Sequence, residues 1–305
     1  MKKTIVTDNI SYIEPVSMSN YQACSGLVVT DKGTKLVIDT NLGRTESKPF
    51  LALERPDIGI VSHYHLDHAV WSSELMGTTD AELFVPEIEA RYLSDFDFYL
   101  KRTIDGSPLT ALWKHFTLSV AGYKELGHYS VYGEGHCFDI GRCRIECIGT
   151  PGHSPGHMSF YFPFERILFT GDMGVDRFGP WYGWPDCDLV KMIDAMFRLR
   201  AMPVTTLLTS HGGLFTTGIV ERWDRALGHL MDREKRIVKG LEEGLEKERI
   251  VASGIFFKRM PVVDEPMRSF FRMWDENMYD HHLALIERGG IAKVFSMSRR
   301  ICRYR

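Results

Sequence analysis

Apolar residues recur along this chain in two rhythms. Short runs bounded by turn-forming residues come first: GLVVT at residues 26–30 and KLVID at 35–39 bracket Asp31-Lys-Gly33 and predict a hairpin. Residues 58–61 (IGIV), 83–85 (LFV), 143–148 (CRIECI), 167–169 (ILF) and 206–208 (TLL) read as further strands, most of them buried. Between them, Pro86 opens a segment with Ile88, Tyr92, Phe96 and Tyr99 at helical spacing, which predicts one helix reaching Thr103. Residues 106–126 hold Trp113, Phe116 and Tyr123 without a clear period, so 87–126 reads as a helical and aromatic insertion rather than a separate domain. After residue 215 the rhythm becomes helical. Val220, Trp223, Leu227, Leu230, Met231, Val238, Leu241 and Leu245 make one apolar stripe, predicting one long helix or two broken near Gly240. Residues 267–274 and 282–286 predict two more helices, the second ending at Gly289 and Gly290. The pattern divides the chain into an α/β domain over 1–215 and a helical extension over 216–305, either a partial lid, a dimer surface or both.

One of the apolar runs ends in unusual chemistry. Directly after residues 58–61 comes SHYHLDH (62–68), which places His63, His65, Asp67 and His68 within six positions. Residues i and i+2 of an extended segment share a side, so His63 and His65 can grip one ion together. Asp67 and His68 fall where the chain turns into a helix near residues 69–75 and can aim at a second ion. Imidazole with carboxylate suits zinc, iron or manganese, and the lack of cysteine ligands argues against a closed structural zinc site. A solvated histidine-rich turn would explain one or two of these residues, not four.

Three later segments repeat the design. TPGHSPGH (150–157) offers His153 on a Gly/Pro-rich loop after a strand; ILFTGD (167–172) ends on Asp172; TLLTSH (206–211) ends on His211. An apolar strand that delivers one ligand at its C-terminal end is how a sheet converges distant residues on one site.

This ordered set resembles the metallo-β-lactamase superfamily, whose HxHxDH signature is followed by one His, one Asp and one His. The resemblance covers about the first two-thirds of the chain. It implies a four-layer αββα sandwich over residues 1–215 with a two-metal site at the sheet edge. It further implies that His63, His65 and His153 hold one divalent ion, that Asp67, His68 and His211 hold the other, and that Asp172 bridges them. Zinc is the first expectation for these ions, with iron or manganese as alternatives. The chemistry expected of such a pair is hydrolysis, with hydroxide attacking a carbonyl or phosphoryl centre and Asp172 or Asp67 taking the proton. His65 stands where flavin-coupled di-iron members have Glu, which disfavours redox chemistry.

Composition adds limits. A net charge of −3 over 305 residues gives no global field for nucleic acid or an anionic membrane, so neither is expected as a partner. The basic end, residues 298–305, reads as a solvated tail. The start (MKKTIVTD) lacks an apolar core long enough for a signal peptide, and no stretch approaches membrane-spanning length, so a cytoplasmic location is expected. The six cysteines show no CxxC spacing, consistent with a reducing compartment. Cys187 alone follows a ligand closely enough to stand near the site, but a nucleophilic role is not needed there. His115, His128, His136, His281 and His282 read as non-ligands.

The bond that is cut is less legible. The loop after Asp172 (173–186) carries Phe178, Trp181, Tyr182 and Trp184, which either wall a substrate or pack the loop onto the extension. A wall favours a small, partly apolar substrate. Within the superfamily, PGHSPGH looks closest to hydroxyacylglutathione hydrolases and related thioesterases and lactonases, implying a thioester or ester substrate. Met173, Val175 and Leu66 depart from the usual glyoxalase II, quorum-quenching lactonase and tRNA-processing patterns respectively. A lactonase, a phosphodiesterase or ribonuclease, and a regulatory member with residual hydrolysis are the other readings.

Overall fold

The protein is described from a computed structural model, in which residues 1–17, 23–257 and 264–303 are placed. Strands β1 (Lys2–Ile5), β2 (Ile10–Glu14), β3 (Gly26–Asp31) and β4 (Thr34–Ile38) pair antiparallel in chain order, and the hairpin predicted at residues 31–33 joins β3 to β4. Helix α1 (Ser47–Glu54) leads to β5 (Ile58–Ile60), followed by α2 (Leu66–Ala69) and α3 (Trp71–Thr78). β6 (Glu82–Pro86) lies parallel to β5, and the insertion follows with α4 (Ala90–Ser94), α5 (Phe96–Thr103) and α6 (Thr110–His115). β7 (Ser130–Tyr132) completes a first sheet in simple order from β1 to β7.

The second sheet contains β8 (Cys137–Ile140), β9 (Cys143–Gly149), β10 (Met158–Phe162), β11 (Ile167–Phe169), β12 (Thr206–Thr209) and β13 (Gly213–Phe215) in reverse order across the sheet. Its one parallel pair, β11 with β12, is connected through α7 (Leu189–Arg200). The extension comprises α8 (Ile219–Glu242), α9 (Lys247–Ala252), α10 (Met267–Ile286) and α11 (Gly290–Arg303).

Strand alternation explains the layers. Leu27, Val29, Leu36 and Ile38 share one buried cluster with Ile145, Phe160, Phe169 and Leu208, so these side chains fill the space between the two sheets. The intervening Val28 and Val37 belong to a different cluster with Phe50, Leu51, Trp71 and Leu75 of the helices. On the second sheet, Leu168 and Leu207 likewise join Met192, Ile193 and Met196 of α7. Each full burial of such a side chain contributes about 1.5–3 kcal/mol. The result is the αββα sandwich, with a helical C-terminal segment beyond it.

Four expectations are corrected. The helix predicted from Pro86 to Thr103 is interrupted: a 3₁₀ turn (Glu87–Glu89) and α4 stop at Asp95, which leaves the helical conformation and accepts a hydrogen bond from Phe98 N, capping α5. Residues 106–126 are not irregular throughout, since α6 runs into a π-helical turn (Phe116–Ala121) whose wider register obscured the apolar period. α8 passes through Gly240 unbroken and ends at Glu242, while residues 267–286 form one helix, not two. The polar stretch that hid this continuity contains Asp275, which is buried and accepts from the backbone N–H groups of Ile255 and Phe256. The basic end continues as α11: Phe295 packs on Phe197, and buried Ser298 donates to Asp194. Tyr304 and Arg305 lie outside the described residues. Among the described residues no helix is long and apolar enough to cross a membrane.

Candidate metal centre

All seven residues named from the sequence meet at one edge of the sandwich. β5 ends at Ile60, and the chain is then held by Ser62 N–H donating to Asp39 Oδ1 at 2.8 Å. His63 and His65 follow before α2 begins, while Asp67 and His68 occupy its single turn. His153 lies in the turn between β9 and β10, Asp172 just beyond β11 and His211 just beyond β12. That turn rests on α7 through Gly152, whose φ is +133°, and a Cβ there would lie 2.3 Å from Met192 N, so only glycine fits. Met158 N–H donates to Ser62 O, linking the two sheets beside the site.

Two groups of ligand atoms result. His63, His65 and His153 form one; Asp67, His68, Asp172 and His211 form the other. His63 Nε2 and His153 Nε2 are 3.2 Å apart. Asp172 reaches both groups: its Oδ1 is 3.2 Å from His68 Nε2, and its Oδ2 is 3.2 Å from His211 Nε2 and 3.6 Å from His153 Nε2. His211 Nε2 is also 3.1 Å from Asp67 Oδ2. The far nitrogens are already engaged. His153 Nδ1 donates to the Trp181 carbonyl at 2.8 Å, and His68 Nδ1 lies 2.8 Å from Asp39 Oδ2, which leaves both Nε2 atoms facing inward. A third grouping, Asp39 with His63 and His68, is of this orienting kind, because both Asp39 oxygens have partners.

The donor set fits cations. His65 Nε2 is buried with no hydrogen-bond partner, and His68 Nε2 and Asp172 Oδ1 face each other at 3.2 Å without forming one, an expensive arrangement for polar atoms unless an ion satisfies them. Burial pushes His63, His65 and His153 below the usual histidine range, keeping them neutral as ligation requires. Burial also opposes charge on His211, but Asp172 and Asp67 outweigh it and raise its pKa well above normal. Asp172 responds in kind: burial resists its ionisation, yet His211 and His68 hold it well below the carboxylate range.

Asp39 and His157 escaped the reading of the sequence. His157 is fully buried; its Nε2 accepts from Asp172 N–H at 3.0 Å and its Nδ1 faces the Thr150 hydroxyl at 2.8 Å, so it fixes the backbone at Asp172. The second histidine of PGHSPGH and the acid ending KLVID were the available signals. His115, His128 and His136 are exposed and join none of the ligand groups found among the described residues.

The aromatic loop divides. Trp181 is half-buried, edge-on to His65 at 5.5 Å and near His153 at 5.6 Å, whereas Phe178 is 54% exposed. Tyr182 and Trp184, also expected on the wall, are 0% and 4% exposed and offer no surface to a ligand. The Tyr182 hydroxyl forms a hydrogen bond with His282 Nε2 at 2.7 Å, and Trp184 packs among Trp113, Trp181 and Trp274. Cys187 does stand near the site, its thiol donating to the His153 carbonyl at 3.0 Å, but burial pushes that thiol well above its normal pKa. Cys187→Ala is expected to keep hydrolytic activity and cost no more than about 1.5 kcal/mol in a urea titration. Loss of turnover in that variant would show a chemical role for the thiol.

Comparison with known proteins agrees with this geometry. The sequence profile of the metallo-beta-lactamase superfamily matches residues 21–211. The probable metallo-hydrolase YybB of Bacillus subtilis (strain 168) is 22% identical over 60% of this chain and 78% of its own length. A hydroxyacylglutathione hydrolase of Mesorhizobium japonicum is 24% identical over 57% of this chain, which spans only 59% of that enzyme. In structure, a metallo-beta-lactamase family protein from Thermus thermophilus superposes with a TM-score of 0.71 at 18% identity, covering 93% of this chain and 95% of the other. That coverage reaches past residue 211, so the shared fold includes part of the helical extension. A profile match over more than half of the residues, ending on His211 itself, places this chain in the metallo-beta-lactamase superfamily.

Proposed function

We propose that the protein is a hydrolase that uses two divalent transition-metal ions, zinc foremost, to cleave a small thioester or ester with an apolar portion. The observation that carries this reading is Asp172, one carboxylate whose two oxygens reach both ligand groups. His63, His65 and His153 would hold one ion, and Asp67, His68 and His211 the other. When bound, such a pair lowers the pKa of water towards neutrality and polarises a carbonyl oxygen. The protein's own part is then positional. Asp39 and the Trp181 carbonyl fix the tautomers of His68 and His153, and His157 fixes the main chain at Asp172. Asp67 and Asp172 offer carboxylates, 20% and 13% exposed, that can take the proton released on attack.

The apolar part of the substrate is assigned to half-buried Trp181, beside His65 and His153, with exposed Phe178 as a second contact. Replacing Trp181 with alanine should raise KM for a hydrophobic acyl thioester more than for an acetyl thioester, because truncating a wall removes binding in proportion to the apolar area it touches. Equal changes for both substrates would reduce Trp181 to loop packing. A panel of thioesters, esters, lactones and phosphodiesters tests the reaction class. Efficient cleavage of phosphodiesters alone would replace the carbonyl reading.

A further inference from the structure

Glu89 lies in the 3₁₀ turn that opens the insertion, far in sequence from any ligand, yet it is fully buried behind the three-histidine group. Its carboxylate accepts hydrogen bonds from Tyr64 N–H at 2.6 Å, from Gly156 N–H at 2.7 Å and from the Ser154 hydroxyl. Tyr64 sits between His63 and His65, and Ser154 follows His153, so one side chain ties together the two loops that carry the whole group. The fit is close. A Cβ on Gly156 would lie 2.8 Å from Glu89 Cγ and 2.9 Å from Ile88 Cβ, so the loop can approach only with glycine there.

All three partners are donors, which suits an ionised carboxylate, yet burial outweighs them and pushes the Glu89 carboxyl up to about 8. No lysine or arginine donates to it among the described residues. A buried anion without a counter-charge is costly, and a cation held by the neighbouring histidines would supply one.

We propose that Glu89 is the positioning residue of the three-histidine group, locking the two ligand loops in register and providing buried negative charge that favours a cation there. This inference rests on the metal-binding reading given above. It assigns the insertion a part in the site: its first turn braces the metal-binding loops from behind.

The test is zinc competition against a chromophoric chelator, with metal-free wild type, Glu89→Gln and Ser154→Ala compared. Amide hydrogen exchange of residues 62–68 and 151–157 is followed in the same metal-free samples. Glutamine keeps the size but loses the charge and sets an NH₂ among three donors. It should weaken one of the two ions by about 10–100-fold, the usual effect of disturbing a residue that orients a ligand, and leave the other within about threefold. Tyr64 and Gly156 amides should exchange faster. Ser154→Ala removes one bond and no charge, so its loss should be in the same direction and smaller; it carries the test if the glutamine variant does not fold. Unchanged affinity for both ions, or equal loss of both, would overturn the inference. Wild-type protein that binds no zinc would instead overturn the functional reading, and the metal half of this inference with it.

Discussion

Asp172→Asn should lower turnover by about a hundredfold or more while the fold survives. The carboxylate lies 3.2–3.6 Å from His68, His153 and His211, so it reaches both ligand groups. Asparagine preserves size and the main-chain bond to His157, so the sandwich has no reason to change. What disappears is the negative charge that, on the proposed reading, would hold two cations close to each other. Its loss also removes the strongest electrostatic support for a proton on His211, whose pKa should fall towards the normal range. The check is kcat on the best thioester, with metal content by elemental analysis and the fold by circular dichroism. Wild-type turnover with full metal content would show that Asp172 does not bridge.

Trp274→Ala should destabilise the protein by about 3–5 kcal/mol, the range for deleting a buried aromatic side chain. Trp274 of α10 lies 5.5 Å from Trp184, 5.6 Å from Trp181 and from Phe271, and 6.0 Å from Trp113. It therefore joins the extension, the loop after Asp172 and the insertion in one cluster, and most of its surface has no way to be refilled. Urea unfolding followed by tryptophan fluorescence and circular dichroism should give coincident transitions shifted together. A cost below about 1 kcal/mol, or two separated transitions, would mean that the three segments are held independently.

The candidate ligands were legible because they follow short apolar runs closely, a pattern local in sequence. Asp172 and His211 needed no partner information to stand out. The loop aromatics were not legible in the same way. Phe178, Trp181, Tyr182 and Trp184 are alike in composition and spacing, and only the helix that packs against them separates wall from filling. Tyr182 is buried because His282 waits for its hydroxyl 100 positions later, and Trp184 because Trp274 lies beside it. The insertion failed for a different reason. A cap at Asp95 and a π-helical turn after His115 each shift the apolar register by a residue or so, which breaks a period without breaking the structure. Glu89 and Asp275 were invisible for a third: a buried acid satisfied by main-chain donors looks, in sequence, like any surface acid.

The main chain of the aromatic loop is gripped along its length from the extension. Arg233 of α8 donates to the carbonyls of Phe178 and Pro180, Asn277 of α10 to Gly183 at 2.7 Å, and His281 to Trp184 at 2.8 Å. The Trp181 carbonyl, between these, is the one that sets the His153 tautomer. Carbonyls carry no sequence identity, so this hold tolerates change in the loop's side chains far better than change in the helices that read its shape. A library aimed at new substrates can therefore vary the exposed positions of the loop freely, whereas a chimera that imports another protein's catalytic loop must import its C-terminal helices along with it.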